Sequence, residues 1–334
     1  MSKDISRHRL TDGKLNLRRF HQARWDEPVI FELSQPGQRG ILLPEVEADV
    51  EDRAGKQARS QPWSVLPEKM RRRQPPALPE LSQPQVMRHY LRLSQENLGA
   101  DLNVDVGQGT CTMKYSPKIN EQLARSPQIA DLHPLQPEET AQGILEVMVR
   151  FEQFLKAISG LDRFSLQPGA GSAAIYANAS IIRAYHKSRG EAEQRDEIIT
   201  TIFSHPSNAA CARTAGFRVI TLYPDQDGYP DLEALKAAVS ERTAGLMITN
   251  PEDTGIYNPR IAEFVQVVHD AGGLCAYDQA NANGILGITR AREAGFDLCH
   301  FNLHKTFSTP HGCGGPGSGV VGATADLARF LPVP

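Results

Sequence analysis

Between residues 198 and 305 the chain repeats one unit: a short, mostly apolar run, a polar residue at its end, then a stretch with apolar residues at helical spacing. Short continuous apolar runs that alternate with helices point to strands buried on both faces of a parallel sheet. The runs are 198–203, 217–222, 244–249 and 274–277, with one more leading to Lys305 through Phe301 and Leu303. The helical stretches are 209–215, 232–239 and 261–271; Asp231 caps the second and Gly272-Gly273 stops the third. Upstream, 164–167 reads as a strand that runs into Pro168-Gly169-Ala170-Gly171-Ser172-Ala173-Ala174 and a helix over 175–187. Before it, 140–159 carries Ile144, Leu145, Met148, Phe151, Leu155 and Ile158, a stripe that predicts a core face.

In a parallel sheet, ligands collect outside the carboxyl ends of the strands. Here those ends hold Gly171 and Ser172, His205, Asn250, Asp278 and Lys305. Each has a bland reading alone. Most lysines are solvated, a lone histidine is more often structural, and tight strand-to-helix packing also wants small residues near 171. Together they make a kit for pyridoxal 5'-phosphate. A lysine amine condenses with the cofactor aldehyde. A carboxylate keeps the pyridine nitrogen protonated, so the ring accepts electrons. A strand, a glycine-rich turn and a helix offer free backbone N–H groups and a helix dipole to the phosphate.

Roles follow from that chemistry. Gly171, Ser172 and Ala173 hold the phosphate, Asp278 the ring nitrogen and Lys305 the aldehyde carbon. His205 stacks on the ring face, which makes it, with Lys305, a catalytic candidate. Asn250 either hydrogen-bonds the ring hydroxyl or shapes the turn before Pro251. His304, Thr306 and Ser308 are further candidates for contact with phosphate or carboxylate.

Composition narrows the function classes. The net charge of the 334 residues is -3, which leaves no footprint for nucleic acid. The one basic run, Arg71-Arg72-Arg73, lies between prolines and reads as a solvated linker. Five cysteines lie scattered without metal-ligand spacing, and Cys111 reads as a packed small residue or a reactive thiol. With no signal peptide, the expectation is a reducing, cytoplasmic setting. No apolar run is long enough to span a bilayer, so no membrane role is expected. Residues 1–95 are rich in Pro, Arg, Gln and Glu and cannot bury a core alone. They read as an extended or partly disordered arm that ends in a helix over 86–98, with Met87, Leu91 and Leu98 at helical spacing.

Several stretches carry a family resemblance: Cys111-Thr112-Met113-Lys114-Tyr115, Leu166-Gln167-Pro168 with its glycine turn, Ile182-Arg183-Ala184-Tyr185-His186, Thr249-Asn250-Pro251, Asp278-Gln279-Ala280-Asn281, and Asn302-Leu303-His304-Lys305-Thr306-Phe307 through Gly319. Over residues 88–334 the chain resembles glycine dehydrogenase (decarboxylating), the P-protein of the glycine cleavage system, in the form of subunit 2 of the two-subunit bacterial enzyme. The resemblance implies an α/β chain of pyridoxal phosphate-dependent transferase fold type I. That means a mainly parallel sheet of the seven-stranded type covered by helices, an N-terminal arm over 1–95 and a cofactor-binding large domain over 96–334. Family members continue into a small C-terminal domain, which the resemblance implies is absent from this chain.

The implied activity is that of an oxidoreductase: glycine decarboxylation, with transfer of the aminomethyl group to the lipoyl arm of the H-protein. Subunit 1 is the implied partner within an oligomer. Three stretches depart from the family pattern. His205-Pro206-Ser207-Asn208-Ala209 replaces a His-Gly-Thr-Asn-Pro run, Ile175 and Tyr176 stand near an acidic position, and Glu252-Asp253-Thr254-Gly255 follows Pro251 in place of Asn-Thr-Leu-Gly. Two other readings stand beside this one: another fold type I decarboxylase, lyase or aldolase, and a non-catalytic scaffold subunit.

Overall fold

A computed structural model describes residues 27–41, 44–55, 65–74, 76–96, 117–309 and 317–333. The motif from Cys111 to Tyr115, Leu98 and residues 310–316 of the lysine stretch lie outside the described residues. The chain divides into two units, Met1–Gly99 and Ala100–Pro334. In the first, the described residues include helices α1 (Ala48–Ala54) and α2 (Gln83–Glu96) and two short 3-10 turns. The side chains of His89 and Glu27 meet there at 3.1 Å, both nearly free of solvent.

The second unit is built on one seven-stranded sheet. The strands are β1 (Arg163–Ser165), β2 (Glu197–Thr201), β3 (Arg218–Leu222), β4 (Thr243–Thr249), β5 (Leu274–Asp278), β6 (Leu298–Asn302) and β7 (Gly319–Ala323), in the spatial order β1-β7-β6-β5-β4-β2-β3. From β6 to β3 all neighbours are parallel. β7 is antiparallel to both its neighbours and so runs against the other six. This is the mainly parallel sheet that the apolar runs predict.

Both sheet faces are buried, which explains why the runs do not alternate with polar residues. Ile199, Leu246, Ile248, Tyr277 and Phe301 point into one core cluster with Phe264 and Val268. Ile198, Met247, Ala276, Leu298 and Val321 point into the other, against Ala174, Ile181 and Ile182 of a long helix. Each Ile, Leu, Met, Phe or Val among them contributes ~1.5–3 kcal/mol when taken out of water.

The α-helices described in this unit are α3 (Lys118–Ala124), α4 (Pro127–Ala130), α5 (Gln142–Ser159), α6 (Gly171–Ser188, the long helix), α7 (Ser207–Thr214), α8 (Leu232–Ala238) and α9 (Ile261–Asp270). Asp231 caps α8 as its sequence implies, accepting the N–H groups of Glu233 and Ala234 at 2.9 and 3.1 Å. The stripe on α5 is only partly a core face. Leu155 is buried and Phe151 and Ile158 pack beside it, but Leu145 and Met148 are 39% and 38% exposed. They line a groove of about 580 Å³ with Leu166, Leu331 and Pro332. Only the C-terminal half of α5 lies against buried neighbours, so helical spacing alone overstates its burial.

Candidate active site

Helix α6 begins at Gly171, four residues before the expected start at 175. The glycine-rich turn therefore delivers Gly171, Ser172 and Ala173 as the first helical turn. A helix leaves its first N–H groups without intrahelical partners, and Ala170, the residue before the helix, supplies no side-chain cap. The glycine at 171 answers a packing demand. A Cβ there would stand 2.4 Å from Nδ2 of Asn302, at the end of β6. At Gly317 a Cβ would overlap the ring of His304.

The strand ends converge on a cavity of about 230 Å³. Gly171, Ser172, His205, Ser207, Asp278, Asn302, His304 and Lys305 all face it. The N-termini of α6 and α7 meet at its rim, where the hydroxyls of Ser172 and Ser207 lie 3.1 Å apart. Lys305, 7% exposed, sits on the turn after β6, with its N–H bonded to the Asn302 carbonyl at 3.0 Å. Thr306 holds that turn to the loop after β5 by accepting the Ala282 N–H at 2.9 Å. His205 is half-buried, and its Nδ1 accepts the Ser207 N–H at 3.2 Å. Nδ1 of His304 lies 3.1 Å from both the backbone N and the backbone O of Ser318.

Asp278 ends β5 and is almost fully buried. One carboxylate oxygen accepts Nδ2 of Asn208 at 2.7 Å. The other accepts the Ala280 N–H at 3.0 Å and has Nε2 of His300 at 3.1 Å. Burial alone would push this carboxyl up. The imidazole of His300 and the hydrogen bonds from Asn208 and Ala280 outweigh it and hold Asp278 well below the usual carboxylate range. The group is therefore an anion facing the cavity at neutral pH.

One expected cofactor contact lies elsewhere. The side chain of Asn250 is spent on the backbone of Asn258, donating to its carbonyl at 3.3 Å and accepting its N–H at 2.8 Å. The Asn250 carbonyl accepts the Tyr277 hydroxyl at 2.5 Å. Asn250 thus shapes the turn and does not line the cavity, the second of its two sequence readings. The side chain of Ala173 lines a separate groove with Tyr176 and Phe330, while its backbone N–H, the group expected to meet the phosphate, stays in the first turn of α6. The stretch from Ile182 to His186 is structural too. His186 is buried with Nε2 2.8 Å from the Ala244 carbonyl, and the Arg183 guanidinium lies over the Phe217 ring at 5.4 Å.

Sequence reasoning gave no role to Ser207, His300 and Asn302, and it matched Asn208 to the family's run without assigning it one. A signal for two of them was present. In Leu298-Cys299-His300-Phe301-Asn302 the polar residues fall on alternate positions of a strand covered on both faces, so one face must be polar.

The donor set fits pyridoxal phosphate. A helix N-terminus suits its phosphate, an ionised carboxylate its ring nitrogen and a buried lysine its aldehyde. The Oδ1 of Asn302, buried in the cavity wall, has no hydrogen-bond partner among the described residues and could take a hydroxyl or ring donor.

Comparison with known proteins agrees. A family model described as Aminotransferase class-V matches residues 171–327. A protein of Thermococcus kodakarensis called probable glycine dehydrogenase (decarboxylating) subunit 2 is 52% identical over 94% of this chain and 60% of its own length. One of the same description from Pyrococcus abyssi is 51% identical over the same shares. Members of these families depend on pyridoxal phosphate. A crystal structure of glycine decarboxylase (P-protein) of the glycine cleavage system, in inhibitor-bound form, superposes with a TM-score of 0.63 at 21% identity. It covers 87% of this chain and 64% of that one, and shows the shared fold type I architecture. The chain spans 60% of the length of the curated relatives it matches, and over that span it is similar to the proteins called probable glycine dehydrogenase (decarboxylating) subunit 2.

Proposed function

We propose that this chain is the cofactor-binding part of a pyridoxal phosphate-dependent glycine decarboxylase. It would pass the aminomethyl group to the lipoyl arm of an H-protein and work with a subunit 1 in a reducing, cytoplasmic setting. The observation that supports this most is the single cavity faced by Lys305, Asp278 and the first turn of α6. Bound there, pyridoxal phosphate supplies an electron sink for the pair left behind as the glycine carboxylate departs as CO2.

The chain's own residues do the rest. Gly171 and Ser172 would bind the phosphate through backbone N–H groups and the Ser172 hydroxyl. Asp278 would keep a proton on the ring nitrogen by remaining charged beside it. Lys305 would hold the aldehyde carbon at rest, and its freed Nζ could then hold or pass a proton beside the substrate nitrogen. His205 would cover one ring face and exclude water. In the transfer, carbon would bond to one lipoyl sulfur as the S–S bond breaks and the second sulfur takes the electron pair. The carbon is oxidised and the disulfide reduced.

The test is exchange of labelled bicarbonate into glycine, measured with pyridoxal phosphate, a lipoyl-bearing carrier and subunit 1 present. The proposal expects exchange that Lys305→Ala abolishes. No exchange, with turnover of a different amino acid, would move the assignment to another decarboxylase or lyase.

A further inference from the structure

We propose that His300 is a positioning residue: from the adjacent strand it sets the rotamer of Asp278 and holds it as the carboxylate that meets the cofactor's ring nitrogen. This rests on the reading of the cavity as a pyridoxal phosphate site and extends it to a residue that does not itself line the cavity.

The sheet register makes the pair. β5 and β6 are parallel neighbours, and Asp278 is the cross-strand partner of His300. Paired positions on adjacent strands send their side chains to the same face, so the contact is fixed by rigid backbone and not by a loop. Nε2 stands 3.1 Å from Oδ1, and both side chains are 1% exposed. The approach is at ion-pair distance but off the hydrogen-bond line, and neither ring nitrogen has another partner among the described residues. Such a residue is a poor choice for packing alone. A buried polar group without partners is unfavourable, and the neighbouring positions on this strand, Leu298, Cys299 and Phe301, are apolar.

A count of acceptor sites gives the arrangement its direction. A carboxylate offers about four lone-pair sites. The Ala280 N–H takes one site on Oδ1, the His300 ring closes off the other from 3.1 Å without a hydrogen bond, and Asn208 takes one site on Oδ2. The remaining site is on Oδ2, on a residue that faces the cavity. His300 and Asn208 thus grip Asp278 from two sides and leave one acceptor for the ring nitrogen. Without His300, Oδ1 keeps one backbone donor, the side chain gains freedom about its last torsion, and burial favours the protonated acid. The protonated acid no longer sets a negative charge against a ring N–H.

The experiment loads the wild type, His300→Gln and Asp278→Asn with pyridoxal phosphate labelled with 15N in the ring. It reads the ring-nitrogen chemical shift, the cofactor dissociation constant and the thermal midpoint. His300→Gln keeps a donor of similar reach and lacks the imidazole. The expected result is a protonated ring nitrogen in the wild type, a shift toward the unprotonated value in His300→Gln, and about tenfold weaker cofactor binding. Asp278→Asn should shift further in the same direction. A purely structural role would lower the midpoint and leave the ring signal in place, so a folded His300→Gln with a wild-type ring shift and affinity overturns the inference alone. No cofactor binding by the wild type overturns both the inference and the reading beneath it. Should His300→Gln not fold, the side-chain 15N signals of His300 in the unsubstituted chain decide. A protonated Nε2 that responds to cofactor supports the inference, and a bare Nε2 overturns it.

Discussion

Gly171→Ala puts the packing of the phosphate cradle to a quantitative test. The added Cβ would stand 2.4 Å from Nδ2, 2.6 Å from Oδ1 and 2.8 Å from Cγ of Asn302. Carbon atoms rest at about 3.5–4.0 Å, so Asn302 must move. Overpacking a filled site costs ~1–3 kcal/mol, against a gain of at most ~1 kcal/mol from replacing glycine by alanine in a helix. The difference spans ~0–3 kcal/mol and is centred at ~1–2 kcal/mol. Asn302 lines the cavity, and swinging into that open space relieves the overlap. The substitution should therefore leave the cofactor-free protein nearly as stable as the wild type and charge the penalty to cofactor binding, a factor of roughly 5–30. A spectrophotometric titration with pyridoxal phosphate measures it, with thermal denaturation alongside. In an Asn302→Ala background the clash partner is gone, so Gly171→Ala should cost much less there. An affinity within twofold of wild type, or the same loss in both backgrounds, would refute the packing argument.

Three further outcomes follow from the same geometry. Lys305→Ala should abolish the visible absorbance of bound cofactor that borohydride bleaches, as read from spectra before and after reduction. Asp278→Ala leaves a buried N–H of Asn208 and the Ala280 N–H without their acceptor. At ~1–3 kcal/mol for each unpaired group the loss is roughly 2–6 kcal/mol, measurable by urea unfolding without cofactor; a loss under about 1 kcal/mol would show that those contacts are weak. His269, near the end of α9, has Nε2 2.8 Å from Asp297, and that hydrogen bond raises its pKa above the ordinary value. A raised folded-state pKa gives stability that is full below the unfolded value and is lost as pH rises through the folded one. The stability gap between wild type and His269→Leu should accordingly be wider at about pH 5.5 than at about pH 9; equal gaps would count against the pair.

The parts of the site that the sequence made legible are those whose signal is local. Lys305 and Asp278 announce themselves because each ends an apolar run, and the turn before α6 because small residues cluster there. The α/β repeat was readable because β2, β4, β5 and β6 are buried on both faces. What stayed hidden depends on spatial order. His300 matters because β6 lies next to β5 with Asp278 opposite, a register that no single segment encodes. Asn208 reaches Asp278 across 70 positions of chain. Asn250 looked able to meet a ligand, but the following turn folds Asn258 back onto it. Spacing predicted a core face along all of α5, whereas packing reaches only its C-terminal half, where Leu155 is buried.

The central claim is that Lys305 holds the cofactor in a cavity it shares with Asp278. Mass spectrometry of the chain after incubation with pyridoxal phosphate, borohydride reduction and proteolysis tests it most directly. The account predicts one phosphopyridoxyl mass increment, on the peptide that contains Lys305. An increment on a different lysine, or none at cofactor concentrations that saturate a curated relative, would contradict it.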